Sequence, residues 1–193
     1  MSKIILYSIT TTLAFLFALA LPDANAQSRA NYTSDNRVIV TLYGVTQPYT
    51  FTSNELLVRY NNTTQKLECI LDVATLLPTA PTTPPTMAYD VLFGAKYPDL
   101  LLYIDAPVEK VNGSRLNPGS INKTTTVQLQ GVANQTTIPL ALAADRNAIV
   151  FNTSFDLMLD NFSASVPVQY FNLLTGRVMI TINNAKWVGF DLR

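Results

Sequence analysis

The chain has 193 residues, of which 13 are basic and 13 are acidic, and it contains no histidine. A net charge of zero gives no general attraction to nucleic acid or to an anionic membrane surface. The lack of histidine excludes Ser-His-Asp and Cys-His catalysis and removes the commonest metal ligand. The 7 glycines are scattered and form no phosphate-binding loop. We therefore expect a protein that is not an enzyme and that binds no cofactor or metal.

Residues 1–26 have the pattern of a cleavable signal peptide. Lys3 provides a positive charge, residues 4–21 are almost entirely apolar, and Ala24-Asn25-Ala26 is a small-residue cleavage site. The alternative is an uncleaved membrane anchor, because the apolar stretch approaches the ~20 residues that span a bilayer. Cleavage predicts a periplasmic or secreted protein in which residues 27–193 form a single domain without a membrane span.

Apolar and polar side chains alternate with a period of two through the rest of the chain, which predicts about eight strands. In the clearest case Phe151, Phe155 and Leu157 share one face of a strand and the opposite face is polar. Turn residues separate several of the runs, for example Asn61-Asn62 and Asp145-Arg146-Asn147. In chain order the runs cover residues 38–46, 49–60, 67–77, 100–108, 124–132, 136–142, 149–159 and 177–182.

One stretch breaks this alternation. Residues 78–86 are rich in proline and threonine, so they predict an extended surface loop rather than a central strand. The next residues, 87–93, are the best candidate for a short helix, and Gly94 is suited to cap its C-terminus. Antiparallel strands with one short helix indicate an all-β fold, either a closed barrel or a two-sheet sandwich. A barrel of eight strands can be filled by its own side chains or can enclose one small ligand.

Few residues remain as candidates for chemistry. Cys69 has no second cysteine with which to form an internal disulfide, and it shares the apolar face of its strand, so we expect a buried thiol. Asp156 and Asp160 are the nearest pair of carboxylates. On one strand they would lie about 13 Å apart, which exceeds the ~5 to 9.5 Å of a glycosidase pair. We therefore expect surface carboxylates.

The aromatic residues either pack in the core or line an apolar cavity. Phe151 and Phe155 are predicted to point inward from one strand. Others lie near strand ends, namely Tyr97, Tyr103, Tyr170, Phe171, Trp187 and Phe190.

The order of motifs in the second half of the chain resembles the YceI-like family of exported, lipocalin-like proteins. The helix exit Lys96-Tyr97-Pro98 is followed by two strand motifs, Gln128-Leu129-Gln130-Gly131-Val132 and Thr137-Ile138-Pro139-Leu140. The sequence then continues with the motifs Phe155-Asp156-Leu157-Met158-Leu159-Asp160-Asn161-Phe162, Val166-Pro167 and Gly176-Arg177-Val178-Met179-Ile180-Thr181-Ile182. The resemblance implies an eight-stranded antiparallel barrel with a helix, of the kind that in some members holds a polyisoprenoid or another amphiphilic chain.

These expectations together predict an exported binding protein that holds an apolar or amphiphilic, isoprenoid- or lipid-like molecule in the barrel lumen. The alternative is a structural or protein-interaction barrel whose core is filled by side chains. We expect the ligand to contact inward-facing apolar residues of the later strands, namely Leu129, Leu140, Phe151, Phe155, Leu157, Val178 and Ile180.

Overall fold

The computed structural model describes residues 32–61, 63–106, 119–145 and 148–187. They belong to one compact unit, Tyr32–Arg193. The predicted signal peptide, Phe190 and the predicted turn residues at 62, 146 and 147 lie outside the described residues. In the part of the chain that is described, no helix has the length and apolar character needed to cross a membrane.

Strands dominate the described residues, as the alternating sequence pattern predicts. The described ranges contain a single short α-helix, α1, at Met87–Val91, and three 3-10 turns, at Val73–Thr75, Leu159–Phe162 and Val168–Tyr170. The strands are β1 Thr33–Gly44, β2 Pro48–Asn61, β3 Lys66–Asp72, β4 Leu77–Pro78, β5 Asp99–Asp105, β6 Gly119–Leu129, β7 Val132–Asp145, β8 Ala148–Met158 and β9 Leu174–Trp187.

Eight of these strands close into an antiparallel barrel. The hydrogen-bonded order is β1-β9-β8-β7-β6-β5-β3-β2, and β1 also pairs with β2, which joins the two edges. The two-residue strand β4 is an addition to one edge of β2. The fold is therefore the predicted all-β, eight-stranded antiparallel barrel with one short helix, and the sandwich alternative is wrong.

The core lies inside the barrel because every second side chain of a strand points inward. On β1 the inward residues are Val38, Val40 and Leu42, and all three are buried. Cys69 on β3 belongs to the same apolar cluster, which confirms the expected buried thiol. Burial raises the pKa of this thiol to about 12, so Cys69 is protonated and unreactive at neutral pH.

Several predicted strand boundaries differ from the observed ones, and in three runs the cause is local turn geometry that interrupts the apolar alternation. The run 67–77 stops at Asp72, whose carboxylate accepts a hydrogen bond from the Ala74 amide at 2.9 Å and caps a 3-10 turn. The run 124–132 contains a tight hairpin turn in which Gln130 and Gly131 both have positive φ, 51° and 78°. The run 149–159 ends at Met158, since Leu159 begins a 3-10 turn.

The helix also ends differently from the prediction. Helix α1 stops at Val91, and the residue with left-handed backbone is Phe93, at φ 56°, rather than Gly94. The Gly94 amide donates to the Tyr89 carbonyl at 2.9 Å, and the Phe93 amide donates to the Asp90 carbonyl, which is the Schellman pattern. Gly94 is needed for space, because a Cβ there would lie 2.5 Å from the Tyr89 ring.

The antiparallel topology gives the barrel two different ends. The helix-capped end carries the β1–β2 and β6–β7 turns, the long connection with α1, and residues 159–173. The Trp187 end is formed by the first residues of β1, β3, β6 and β8 and by the last residues of β2, β5, β7 and β9.

Candidate functional site

All seven residues predicted to contact a ligand are buried in the apolar cluster inside the barrel. Phe155 and Leu157 on β8 are cross-strand partners of Ile180 and Val178 on β9, so these four residues lie together. Phe151 pairs with Leu142 and Ala185, nearer to the Trp187 end. Leu129 ends β6 at the hairpin turn, and Leu140 pairs with Thr153 at one limit of the β7–β8 ladder.

Burial divides these residues into two groups. Leu129, Leu140, Phe151, Val178 and Ile180 are at most 2% exposed, so other side chains pack around them. Phe155 and Leu157 are slightly more exposed, at 8% and 5%. Packing is therefore least complete at the part of the barrel wall that lies beside Phe155 and Leu157. Direct contact between any of the seven and a ligand stays a prediction.

The barrel wall beside Phe155 and Leu157 lacks a continuous hydrogen-bond ladder. Strands β7 and β8 pair only from Leu140–Thr153 to Asp145–Ala148, whereas β6 and β7 pair along their whole hairpin. Residues 132–139 of β7 and 154–158 of β8 therefore do not pair with each other, and we call this region the β7–β8 gap. At its edge the Thr153 hydroxyl donates to the Pro139 carbonyl at 2.7 Å, and Pro139 itself has no amide hydrogen to donate.

A short segment covers the β7–β8 gap. Residues 159–164, the cover segment, contact β7, β8 and β9 through the 3-10 turn Leu159–Phe162. Leu159, Phe162 and Ala164 are buried. The Asn134 side-chain amide on β7 donates to the Asn161 carbonyl at 3.1 Å and ties the segment to the edge of the gap. Apolar side chains inside the barrel are thus shielded here by a turn rather than by a strand.

A second feature lies at the Trp187 end, where Tyr60 and Trp187 meet. Their ring centroids are 4.9 Å apart, and both rings pack against the core. Tyr60 follows the inward residues Leu56 and Val58 on β2, and Trp187 pairs with the buried Ile149. The Tyr60 hydroxyl is buried and has no hydrogen-bond partner among the described residues, and its burial raises the pKa of Tyr60.

The sequence did not identify Tyr60 as a candidate. Trp187 was among the predicted aromatic candidates near strand ends, but Tyr60 reads as the last residue of an ordinary strand. Tyr60 continues the alternation of Leu56 and Val58, and this pattern indicates that its side chain points into the barrel. No sequence pattern shows that the hydroxyl lies out of reach of every polar group that the structure describes.

Three ion pairs join charged side chains among the described residues: Arg59–Glu68, Lys66–Asp105 and Arg177–Asp156. On the outer face Glu68 accepts hydrogen bonds from Arg59 at 2.6 Å and from Asn61 at 2.8 Å. Asp156 pairs with Arg177 at 2.7 Å, as expected for a surface carboxylate. Asp160 lies in a 3-10 turn, so the prediction that it shares a strand with Asp156 is wrong. Within the described ranges no cluster of metal-ligating side chains occurs.

No protein-family model matches this sequence, and no curated protein is significantly similar to it. Solved structures do share its fold. A polyisoprenoid-binding domain from Saccharophagus degradans, implicated in plant cell wall breakdown, aligns with a TM-score of 0.67 at 11% identity. That alignment covers 82% of this chain and 97% of the domain. BcnA from Burkholderia cenocepacia aligns with a TM-score of 0.54 at 14% identity, covering 76% of this chain and 93% of BcnA.

The Campylobacter jejuni YceI protein aligns less well, with a TM-score of 0.48 at 12% identity. The class of the protein is thus a closed, lipocalin-like β-barrel. Its particular fold is the one shared by the polyisoprenoid-binding domain and BcnA, which agrees with the YceI-like barrel that the resemblance in the sequence implied.

Proposed function

We propose that this protein is an exported, non-enzymatic binding protein that holds an apolar or amphiphilic, isoprenoid- or lipid-like molecule in its barrel. The observation that carries the proposal is the β7–β8 gap, where the barrel interior is shielded by the cover segment instead of by a paired strand. The Saccharophagus degradans domain supports it, because that domain has the same fold and binds polyisoprenoids.

The gap gives an apolar chain a route to an apolar interior. Moving the cover segment would expose Phe155 and Leu157 without breaking a β-ladder, because no ladder joins the strands there. Burial of hydrocarbon contributes about 25 cal/mol per Å² of apolar surface, so a long chain is held firmly without a charged anchor. Leu129, Leu140, Phe151, Val178 and Ile180 would then contact the deeper part of the chain.

Export rests on the signal-peptide pattern in residues 1–26, which predicts a periplasmic or secreted location. The neutral charge agrees with a small amphiphile as partner and gives no reason to expect nucleic acid.

A second candidate function is a structural or interaction barrel with a filled core. The near-complete burial of five of the seven predicted contact residues favours it. Two large apolar side chains at the helix-capped end, Val168 and Phe171, are 92% and 72% exposed, which would suit contact with a protein partner. In that case the cover segment would serve only as packing.

Lipid extraction of the protein purified after export distinguishes the binding barrel from the filled barrel. We expect mass spectrometry to find a co-purified isoprenoid or lipid, in about one equivalent per barrel. Asn134→Ala removes the tie to the cover segment and should release this molecule to lipid vesicles about two- to tenfold faster. Asn152→Ala is the matched control, since Asn152 bonds the Asn184 amide on the outer face. A wild-type protein without any extractable lipid would contradict the proposal and favour the filled barrel.

A further inference from the structure

Tyr60 is an exception among the inward polar groups of the barrel. The buried Asn36 side chain accepts from the Lys186 amide at 2.6 Å and donates to two carbonyls. The Ser53 and Thr153 hydroxyls are also bonded, to Thr75 and to the Pro139 carbonyl. Buried hydroxyls in folded proteins almost always have partners, so one that has none among the described residues requires an explanation.

The surroundings of this hydroxyl suit one end of an amphiphile. Trp187 lies against the Tyr60 ring, and the neighbouring inward residues Leu67 and Ile149 are apolar. Ile149, the partner of Trp187, is six residues from Phe155 along β8, which corresponds to about 20 Å at ~3.3 Å per residue. A long chain that reaches Phe155 from the Trp187 end would therefore place its other end beside Tyr60.

We infer that the Tyr60 hydroxyl donates a hydrogen bond to the polar end of the bound molecule, and that Trp187 packs against this end. The inference rests on the proposed function and adds the ligand class: a long apolar chain that carries a hydrogen-bond-accepting oxygen at one end. A pure hydrocarbon would leave the buried hydroxyl without a hydrogen-bond partner, whereas an oxygen at the end of the chain would accept its hydrogen bond. Tyr60 is thus a residue that determines specificity.

Phytanol and phytane are suitable probes, because they share one branched saturated chain and differ only in a terminal hydroxyl. The protein contains a single tryptophan, Trp187, whose fluorescence reports binding beside Tyr60. The titrations use the delipidated protein purified after export, its Tyr60→Phe variant, and Tyr103→Phe as control. Tyr103 is a tyrosine of the outer face of β5, close to Glu68.

We expect Tyr60→Phe to weaken phytanol binding about two- to tenfold and to leave phytane binding unchanged, because a neutral hydrogen bond has that net effect. Tyr103→Phe should change neither. Thermal unfolding of each variant confirms that the fold persists. An equal loss for both probes would assign Tyr60 a packing role and overturn the inference, as would equal binding of phytanol by Tyr60→Phe and wild type. If the wild type binds neither probe, the proposed function itself fails.

Discussion

The two ends of the barrel differ in how completely their polar groups are paired. At the helix-capped end the Tyr170 hydroxyl donates to Asp90 at 2.9 Å, and the Gln130 side chain donates to the Val91 carbonyl at 3.0 Å. At the Trp187 end the Tyr60 hydroxyl is buried with no partner among the described residues. Both tyrosines pack against the apolar core, but among the described residues only the Tyr170 hydroxyl has a hydrogen-bond partner.

This difference separates residues that stabilise the barrel from residues available for binding. Bonds such as Tyr170–Asp90 join segments that are far apart in the chain, so they fix α1 and residues 168–170 over one end. An unpaired buried hydroxyl lowers stability, and natural proteins keep such costs mainly at functional sites. The β7–β8 gap is a similar exception in the backbone pairing of the wall.

The largest expected change in stability distinguishes Phe151, in the packed centre of the barrel, from Phe155, beside the β7–β8 gap. Phe151→Ala should lower the free energy of unfolding by about 3–5 kcal/mol, since Phe151 is fully buried. Phe155→Ala should cost less and should reduce the amount of retained lipid. Denaturant unfolding and lipid extraction of both variants measure this. Equal stability losses, with no change in lipid, would remove the distinction between the centre and the gap.

A smaller effect compares the two tyrosines directly. Tyr170→Phe deletes a hydrogen bond to a carboxylate and should lower the free energy of unfolding by about 1 kcal/mol. The loss is smaller than for a fully buried bond to a charged group, because Asp90 is partly exposed to solvent. Tyr60→Phe deletes a hydroxyl that bonds nothing described, so the delipidated protein should be equally or more stable. Chemical denaturation at neutral pH tests both. Destabilisation by Tyr60→Phe of the same size would show that its hydroxyl has a structural partner.

The smallest expected effect concerns the backbone at the helix-capped end. Phe93→Gly should raise the free energy of unfolding by about 0.5 kcal/mol, because glycine adopts the left-handed conformation after α1 without steric cost. The gain is limited by loss of the edge contact between the Phe93 and Tyr97 rings. A thermal melt of this variant, compared with Phe171→Gly at another exposed phenylalanine, measures it. A lower melting temperature for Phe93→Gly would mean that the ring contact outweighs the backbone strain.

The alternation of apolar side chains predicted most of the fold correctly. A period of two depends on only a few neighbouring residues, so the sequence alone located all eight barrel strands and the inward direction of Phe151, Phe155 and Leu157. It failed at Asp72, Gln130 and Leu159, where capping, a tight turn or a 3-10 turn interrupts a pattern that remains apolar.

The sequence by itself determined the strands, the buried Cys69 and the apolar interior of the barrel, because each follows from local patterning. The closure of β1 onto β2 and β9, the β7–β8 gap and its cover segment were decided by the tertiary structure. The same holds for the Tyr60 hydroxyl, which has no partner in the described ranges and whose surroundings come from strands distant in sequence. Whether a backbone or a hydroxyl group finds a partner depends on which distant segments reach it, and periodicity carries no information about that.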